Sequence, residues 1–258
     1  MTYPWIPAPH YTNANRGKDD VDVVVLHTME FPETPDAAER VARYFQETTR
    51  QVSAHYNVDN NSIVQCVREE DIAWAAPGNN HNGIQIEQSG YARQAKIDWN
   101  DAYSRALLKN TARLTGEISR RYRIPLVPLG ASDLRAGRRG VTTHAAVSLA
   151  WKRSNHTDPG RAYPMLRVLN MAKKMRGPLS TVLRPEKPIA KDPPILRKGD
   201  EGFQVKRAQR LLQAHGRTVE VDGIFGQNTE TAVKRFQRDN SLANDGIIGP
   251  LTWKALLV

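Results

Sequence analysis

The sequence predicts an α/β fold, in which helices flank a central mixed β-sheet, followed by a small three-helix C-terminal domain. Three observations support this prediction. The run DVVVLH at 22–27 is short, apolar and β-branched, as is typical of a strand covered on both faces. Strand and helix patterns then alternate through the first two thirds of the chain. Beyond a proline-rich stretch, only short helical patterns remain, which indicates a separate helical domain.

The proline-rich stretch divides the chain into domains. Residues 177–195 read GPLSTVLRPEKPIAKDPPI and contain five prolines. Because proline restricts φ and removes a backbone donor, this composition predicts a semi-rigid, extended linker. We therefore expect a large domain over residues 1–176 and a small domain over residues 196–258.

The larger domain contains the alternating elements. The segment PDAAERVARYFQETT predicts a helix with Val41, Tyr44 and Phe45 on its apolar side. NDAYSRALLKNTARLTGEISRRY predicts a long amphipathic helix that ends before Pro125. The remaining elements are a hairpin over 55–67 and a strand over 83–90.

The smaller domain contains an internal repeat. VDGIFGQNTETAVKRFQ and NDGIIGPLTWKALL share the pattern Asp-Gly-x-x-Gly-x-x-Thr before a helical segment. Asp-Gly predicts a tight turn, and Thr229 and Thr252 are residues suited to N-caps. A preceding segment, GFQVKRAQRLLQAHG, predicts a third helix. Together they predict a small bundle.

Composition restricts the partners. The net charge of +10 favours a polyanion: nucleic acid, an anionic membrane or an anionic cell wall. The charge is spread along the chain, and no basic helix carries interleaved aromatics, so we expect no nucleic-acid partner. No apolar run approaches the length of a membrane span, so we expect no membrane insertion.

The N-terminus does not resemble a secretory signal, and the single cysteine excludes an intrachain disulfide. We expect a monomer.

Two histidines and an aspartate form a candidate metal site. His27 ends the first predicted strand, His144 lies in THAAVS, and Asp158 lies in SNHTDPG. Two imidazoles and one carboxylate on a tetrahedral Zn²⁺ leave a fourth position for water, which is the catalytic arrangement. The alternative is that both histidines are satisfied buried residues and that Asp158 caps a turn. Spacing alone leaves both interpretations open.

Five motifs in order extend this observation. VVVLHTME, VSAHYNVD, NNHNGIQIEQSG, TTHAAVS and HTDPG resemble the zinc-dependent N-acetylmuramoyl-L-alanine amidases over roughly residues 20–170. That family shares its fold with the peptidoglycan recognition proteins and with the amidase lysozyme of a T-odd phage. The resemblance implies that His27, His144 and Asp158 are zinc ligands. It also implies that zinc polarises the amide carbonyl and activates water, and that Glu87 in GIQIE transfers the proton to the leaving amine.

Two departures from the family pattern bear on catalysis. His156 stands where one branch carries a lysine that stabilises the oxyanion, and we expect the imidazole to serve as that donor. Ala54 falls where the phage lysozyme branch has a functional tyrosine, so more of the catalytic role is expected of Glu87. Among the neighbouring residues, we expect a structural role for His55 and positions lining the substrate groove for Asn79 and His81.

The C-terminal segment resembles the three-helix peptidoglycan-binding domain of wall hydrolases over about 196–258. The two resemblances imply an amidase that cuts the amide bond between the muramoyl lactyl group and L-alanine. Since the N-terminus does not resemble a secretory signal, we expect a phage endolysin; the alternative, a cytosolic bacterial recycling amidase, would gain little from a wall-binding module. The endolysin would accumulate in the host cytoplasm and reach peptidoglycan after a holin opens the membrane. Two further alternatives are a non-catalytic peptidoglycan-recognition protein and a zinc peptidase that cuts within the stem peptide.

Overall fold

The computed structural model describes residues 3–177, 195–201 and 203–256. The described residues form two compact units, which lie within 1–183 and 184–258. Apart from its first and last residues, the predicted proline-rich linker over 177–195 lies outside the described residues, so it stays a prediction. Each unit is described by itself below.

The larger unit has the mixed sheet that the sequence predicts. Five strands lie in the order β4-β3-β6-β2-β7, and only the β3–β4 pair is antiparallel. A separate pair of short strands, β1 and β5, is antiparallel. The strands are β1 (Tyr11–Thr12), β2 (Val23–Thr28), β3 (Tyr56–Val58), β4 (Ile63–Gln65), β5 (Ile72–Ala73), β6 (Gly83–Gln88) and β7 (Gly140–Thr143).

Helices cover both faces of the sheet. The helices are α1 (Ala37–Glu47), α2 (Ala102–Tyr122), α3 (Ala131–Arg135), α4 (His144–Trp151) and α5 (Met165–Arg176), with a short 3₁₀ turn at Asp98–Asn100. One apolar cluster joins strands β2, β3 and β6 to helices α2 and α5, and a second joins α1 to β4. All six residues of β2 are buried, which explains why its sequence does not alternate between apolar and polar residues.

Helix α1 differs from its prediction at one side chain. It begins two residues later and ends two residues earlier than the pattern suggests, and Tyr44 is 45% exposed. Val41 and Phe45 are buried as predicted. These two residues are four apart and share the face that packs on the sheet, whereas Tyr44 lies beside that face and contacts the ring of Phe45.

The smaller unit contains the three predicted helices: α6 (Phe203–Ala214), α7 (Gln227–Asp239) and α8 (Pro250–Leu256). They enclose their own apolar core, to which Phe236 and Trp253 contribute large buried side chains. The prediction that Thr229 and Thr252 are N-caps is wrong. Helices α7 and α8 begin before these threonines, which lie in the first turns with buried side chains.

Among the described residues, no helix combines the length and apolar character that crossing a membrane requires.

Candidate metal centre

Three side chains from separate segments converge at the carboxyl end of β2. His27 Nδ1 lies 3.1 Å from His144 Nδ1 and 3.2 Å from Asp158 Oδ2. His144 Nδ1 lies 3.2 Å from Asp158 Oδ1. All three residues are buried. The structure therefore brings together the three residues that the sequence singled out.

The sheet places the two histidines side by side. Strands β2 and β7 are parallel neighbours, and Leu26 pairs with Thr143 in their register. His27 follows Leu26 within β2, and His144 directly follows Thr143, the last residue of β7. Thr143 ends β7 and acts as the N-cap of α4, accepting a hydrogen bond from the Ala146 N–H at 3.1 Å, so the chain turns into a helix at His144.

Asp158 reaches the same point from the loop that follows α4. Its carbonyl accepts a hydrogen bond from the Ala145 N–H at 2.9 Å, which ties the loop to the first turn of α4. Its carboxylate projects between the two imidazoles. Its Oδ2 atom is buried and, apart from the ion-pair contact with His27 Nδ1 at 3.2 Å, has no hydrogen-bond partner within the described part of the chain. A buried carboxylate oxygen of this kind is costly unless a cation completes its environment.

The donor set suits a small divalent cation. Tetrahedral zinc with ligand bonds of 2.0–2.2 Å places neighbouring donor atoms about 3.3–3.6 Å apart. The two histidine Nδ1 atoms are 3.1 Å apart, and each lies 3.2 Å from a different carboxylate oxygen of Asp158. Two imidazole nitrogens and one carboxylate oxygen are ligands that zinc accepts. The residues present therefore fit the metal that the motif implies.

The pKa values of the cluster are also compatible with a bound cation. Burial favours a neutral Asp158, but the interactions with His144 and His27 outweigh it and hold the pKa of Asp158 well below its usual range. Burial lowers the pKa of His144 to about 4. Burial also opposes the charged form of His27, yet Glu87 and Asp158 raise its pKa to about 9. Without a metal, the cluster thus retains a proton near neutral pH, and a cation can take its place.

Glu87 lies beside the cluster on the neighbouring strand. Strands β2 and β6 pair in parallel with His27 opposite Glu87, and Glu87 Oε1 is 3.7 Å from His27 Nδ1. Burial, with the nearby charges of Asp158 and Glu30, raises the pKa of Glu87 to about 7 against the opposing effect of His27. A carboxylate with this pKa can accept and release a proton near neutral pH.

His156 lies at the rim of the cluster. Its side chain is 58% exposed, and its Nδ1 atom is 3.3 Å from Asp158 Oδ1. Its ring stacks on that of His144, with 4.1 Å between centroids. The structure therefore places His156 next to two of the candidate ligands and in contact with solvent.

The residues predicted around the site differ in their outcome. His55 is fully buried and accepts a hydrogen bond from the Gln85 backbone N–H at Nδ1, as a structural residue would. Asn79 does not line the groove, since it is only 3% exposed and its side chain accepts a hydrogen bond from the Trp151 indole at 2.6 Å. His81 is half-buried, and Ala54 is buried in the core beneath α1.

Sequence reasoning missed Gln85. His27 donates from Nε2 to Gln85 Oε1 at 2.9 Å, behind the side of the ring that faces the cluster. A signal was available, because residues two apart on a strand point to the same face and Gln85 is two residues before Glu87.

Comparison with known families decides the class of the larger unit. Residues 17–161, more than half of the chain, match the family model described as N-acetylmuramoyl-L-alanine amidase. The chain belongs to this family. Residues 201–256 match a second model, described as a putative peptidoglycan binding domain.

Individual relatives agree. The chain is 24% identical to the N-acetylmuramoyl-L-alanine amidase CwlL of Bacillus licheniformis, over 98% of its own length and 70% of that protein. It is also 24% identical to a probable N-acetylmuramoyl-L-alanine amidase of the same organism, over 90% of its own length and 66% of that protein. The chain thus spans about two thirds of the length of these relatives.

A solved structure shares the fold. The Staphylococcus aureus hydrolase AmiA, solved with its ligand, superposes with a TM-score of 0.54 at 17% identity and covers 68% of this chain and 83% of its own. With the family match, this likeness places the larger unit in the amidase fold. The protein is an enzyme of the peptidoglycan amidase class.

Proposed function

We propose that this amidase is a zinc-dependent endolysin that hydrolyses the amide bond between the lactyl group of N-acetylmuramic acid and L-alanine of the stem peptide. The convergence of His27, His144 and Asp158 beside Glu87 is the observation that carries the proposal. Zinc bound there would supply a Lewis acid for the carbonyl and lower the pKa of water.

The three proposed ligands prepare the site for an anionic transition state. Two neutral imidazoles and one carboxylate leave a divalent ion with a net positive charge. Because all three side chains are buried, that charge is poorly screened by solvent. The site therefore favours the oxyanion that forms as the amide carbonyl is attacked.

Glu87 is the proposed proton carrier. It lies beside the cluster on an adjacent strand, which holds the carboxylate close to where water and the scissile amide would meet. Its raised pKa suits a group that removes a proton from water and then delivers it to the leaving L-alanine nitrogen. Its Oε2 atom is buried and makes no hydrogen bond in the described structure, so this oxygen can accept the proton.

His156 is proposed as a donor to the developing oxyanion. Its ring lies at the rim of the cluster and is 58% exposed, so it is accessible to a substrate from solvent. A histidine donor is compatible with the role that lysine has in the related branch.

The smaller unit is proposed to retain the enzyme on its substrate. It matches a peptidoglycan-binding model, and linking a binding module to a catalytic unit raises the local concentration of enzyme at an insoluble polymer. Peptidoglycan is accordingly the partner of both units.

Digestion of purified peptidoglycan tests the reaction. Wild-type protein is expected to release fragments with free L-alanine amino termini, to lose activity in a chelator and to regain it with zinc. Glu87→Gln is expected to be slower by about 10²–10⁴-fold, the usual contribution of a general acid–base group. Fragments cut inside the stem peptide would identify a peptidase instead. A zinc-free, inactive protein that pellets with the wall would identify a recognition protein.

The endolysin role has its own test. The protein is expressed in the cytoplasm of a bacterium whose wall it digests in vitro, and culture turbidity is followed before and after the membrane is permeabilised. We expect lysis only after permeabilisation, and none with Glu87→Gln. Lysis of intact cells by wild type alone would contradict a dependence on holin-type release.

A further inference from the structure

A buried polar chain lies behind His27, on the side away from the cluster. It runs from the His27 ring through the Gln85 side chain to Asn79, and from Asn79 to the Trp151 indole. We propose that Gln85, held by Asn79, is a positioning residue that presents Nδ1 of His27 to the metal. This inference rests on the proposed zinc site.

The backbone of Asn79 determines how the Gln85 amide is oriented. Gln85 Nε2 lies 3.2 Å from the Asn79 carbonyl oxygen, which can only accept a hydrogen bond. The amide nitrogen must therefore face Asn79, and Oε1 faces His27. Because Oε1 is an acceptor only, it requires a proton on His27 Nε2, at 2.9 Å.

This hydrogen bond selects the tautomer of a metal-binding His27. A neutral imidazole carries one N–H, so a proton on Nε2 leaves the lone pair on Nδ1. Nδ1 is the atom that lies 3.1 Å from His144 Nδ1 and 3.2 Å from Asp158 Oδ2. Gln85 thus directs the His27 lone pair at the point where the three proposed ligands converge.

The loop that contains Asn79 also contacts α4, the helix that begins at His144. Trp151 is the last residue of α4 and donates its indole N–H to Asn79 Oδ1 at 2.6 Å. His144 is the first residue of that helix. The Asn79 loop therefore contacts the elements of both proposed histidine ligands.

Two glycines leave space for this arrangement. A Cβ at Gly83 would lie 2.5 Å from the Asn79 carbonyl oxygen and 2.7 Å from Gln85 Nε2, so a side chain there would displace the hydrogen bond between them. Gly78 has a φ of +108°, and a Cβ there would lie 2.3 Å from the Trp151 ring. Both close approaches occur at the polar chain.

Zinc affinity, measured by competition with a chromophoric chelator, tests the proposal independently of turnover. Gln85→Leu keeps the approximate size of the side chain and removes both hydrogen bonds. We expect it to weaken zinc binding by about 10–100-fold, the usual effect of removing a partner of a ligating histidine. Gln85→Glu keeps an acceptor for His27 Nε2 but loses the donor to the Asn79 carbonyl, so it is expected to recover part of the lost affinity.

Gln88→Leu is the matched control. Gln88 is equally buried on the same strand, but its amide bonds the backbone carbonyl of His27 and the hydroxyls of Thr111 and Tyr163. We expect it to lower the melting temperature as Gln85→Leu does, with zinc affinity within about twofold of wild type.

The outcomes separate the two proposals. A wild-type protein that binds no zinc would remove the metal proposal itself. Zinc binding by wild type with equal affinity in Gln85→Leu, or equal losses in Gln85→Leu and Gln88→Leu, would overturn the role of Gln85 alone. If Gln85→Leu fails to fold, Gln85→Glu decides: a loss of affinity as large as 10-fold or more in a folded Gln85→Glu protein would contradict the acceptor role.

Discussion

Two buried polar clusters, one in each unit, differ in how their hydrogen bonds are satisfied. In the smaller unit, Gln209 is fully buried and every polar atom of its amide is used. Its Nε2 atom, with two N–H donors, lies within hydrogen-bond distance of Asp222 Oδ1, the Ile224 carbonyl and Thr229 Oγ1, and its Oε1 atom accepts from the Gly223 N–H. In the larger unit, the buried Asp158 Oδ2 and Glu87 Oε2 atoms make no hydrogen bond within the described residues. All polar atoms of the Gln209 amide have hydrogen-bond partners, which makes that cluster complete, whereas two carboxylate oxygens of the second cluster have none among the residues that the structure describes.

The internal repeat confirms that the complete cluster is architectural. Gln237 makes the same four polar contacts in the second repeat: Nε2 with Asp245 Oδ1, the Ile247 carbonyl and Thr252 Oγ1, and Oε1 with the Gly246 N–H. Each glutamine thus joins a helix to the Asp-Gly turn and the first turn of the next helix. The difference between the two clusters teaches that the satisfied one joins elements of the fold, whereas the unsatisfied carboxylate oxygens of the other lie where His27, His144 and Asp158 converge and a cation could bind.

The largest effect should come from removing a proposed ligand. His144→Ala is expected to reduce peptidoglycan hydrolysis by at least about 10³-fold, or about 4 kcal/mol of transition-state stabilisation. The fold should survive, because the Thr143 cap and the bond from the Trp151 indole to Asn79 hold α4 without the His144 side chain. Release of L-alanine termini and circular dichroism check the two parts. His10→Ala, outside the cluster, is the control. A His144→Ala protein with wild-type activity would contradict the assignment of His144 as a ligand.

Breaking the complete cluster should affect stability instead of chemistry. Gln209→Leu leaves the buried Gly223 N–H without its acceptor and removes three donor contacts, so we expect a loss of about 3 kcal/mol in the unfolding free energy of the smaller unit. Wall binding should fall on warming, with hydrolysis of a soluble muropeptide unchanged. Gln213→Leu, at an exposed position, is the control. Equal stability of both variants would refute the architectural role.

In the metal-free protein, Glu87 beside the proposed metal site should lower the free energy of unfolding as the pH rises. Because the folded chain raises the pKa of Glu87 from 4.5 to about 7, the contribution of Glu87 to stability is fully present below pH 4.5 and is lost as the pH rises to 7. Glu87→Gln lacks this loss. In chelator, its stability advantage over wild type should grow across that range, up to about 3 kcal/mol, and then level off.

Denaturant titrations at several pH values measure this difference. Glu70→Gln, at an exposed position, should follow the wild-type curve. An advantage of Glu87→Gln that shrinks between pH 4.5 and 7 would mean that Glu87 is stabilised in its charged form.

The smallest effect is expected at the rim. His156→Ala should lower hydrolysis by about tenfold, or about 1.4 kcal/mol, because an exposed donor contributes less than a buried one. The melting temperature should not change. His156→Lys keeps a donor and should retain more activity than His156→Ala. Wild-type rates in His156→Ala would show that the imidazole has no catalytic role.

Much of the fold could be predicted because local sequence carries it. The buried strand β2, the long helix α2 and the two Asp-Gly repeats each have a signal within one stretch of chain. The candidate metal residues could also be predicted, since each lies in a short motif whose order along the chain resembles a known family. The proximity of His27 to His144, 117 residues later, follows from the parallel register of β2 and β7.

The sequence by itself determined which elements form and which residues are chemically suited to a metal. Only the tertiary structure decided that Nδ1 of His27 faces the cluster, that Asn79 is buried behind it, that Tyr44 is exposed and that Thr229 bonds Gln209 instead of capping a helix. The physical reason is the same in each case. The orientation and exposure of a side chain depend on partners from distant segments, and those partners meet only when the chain packs.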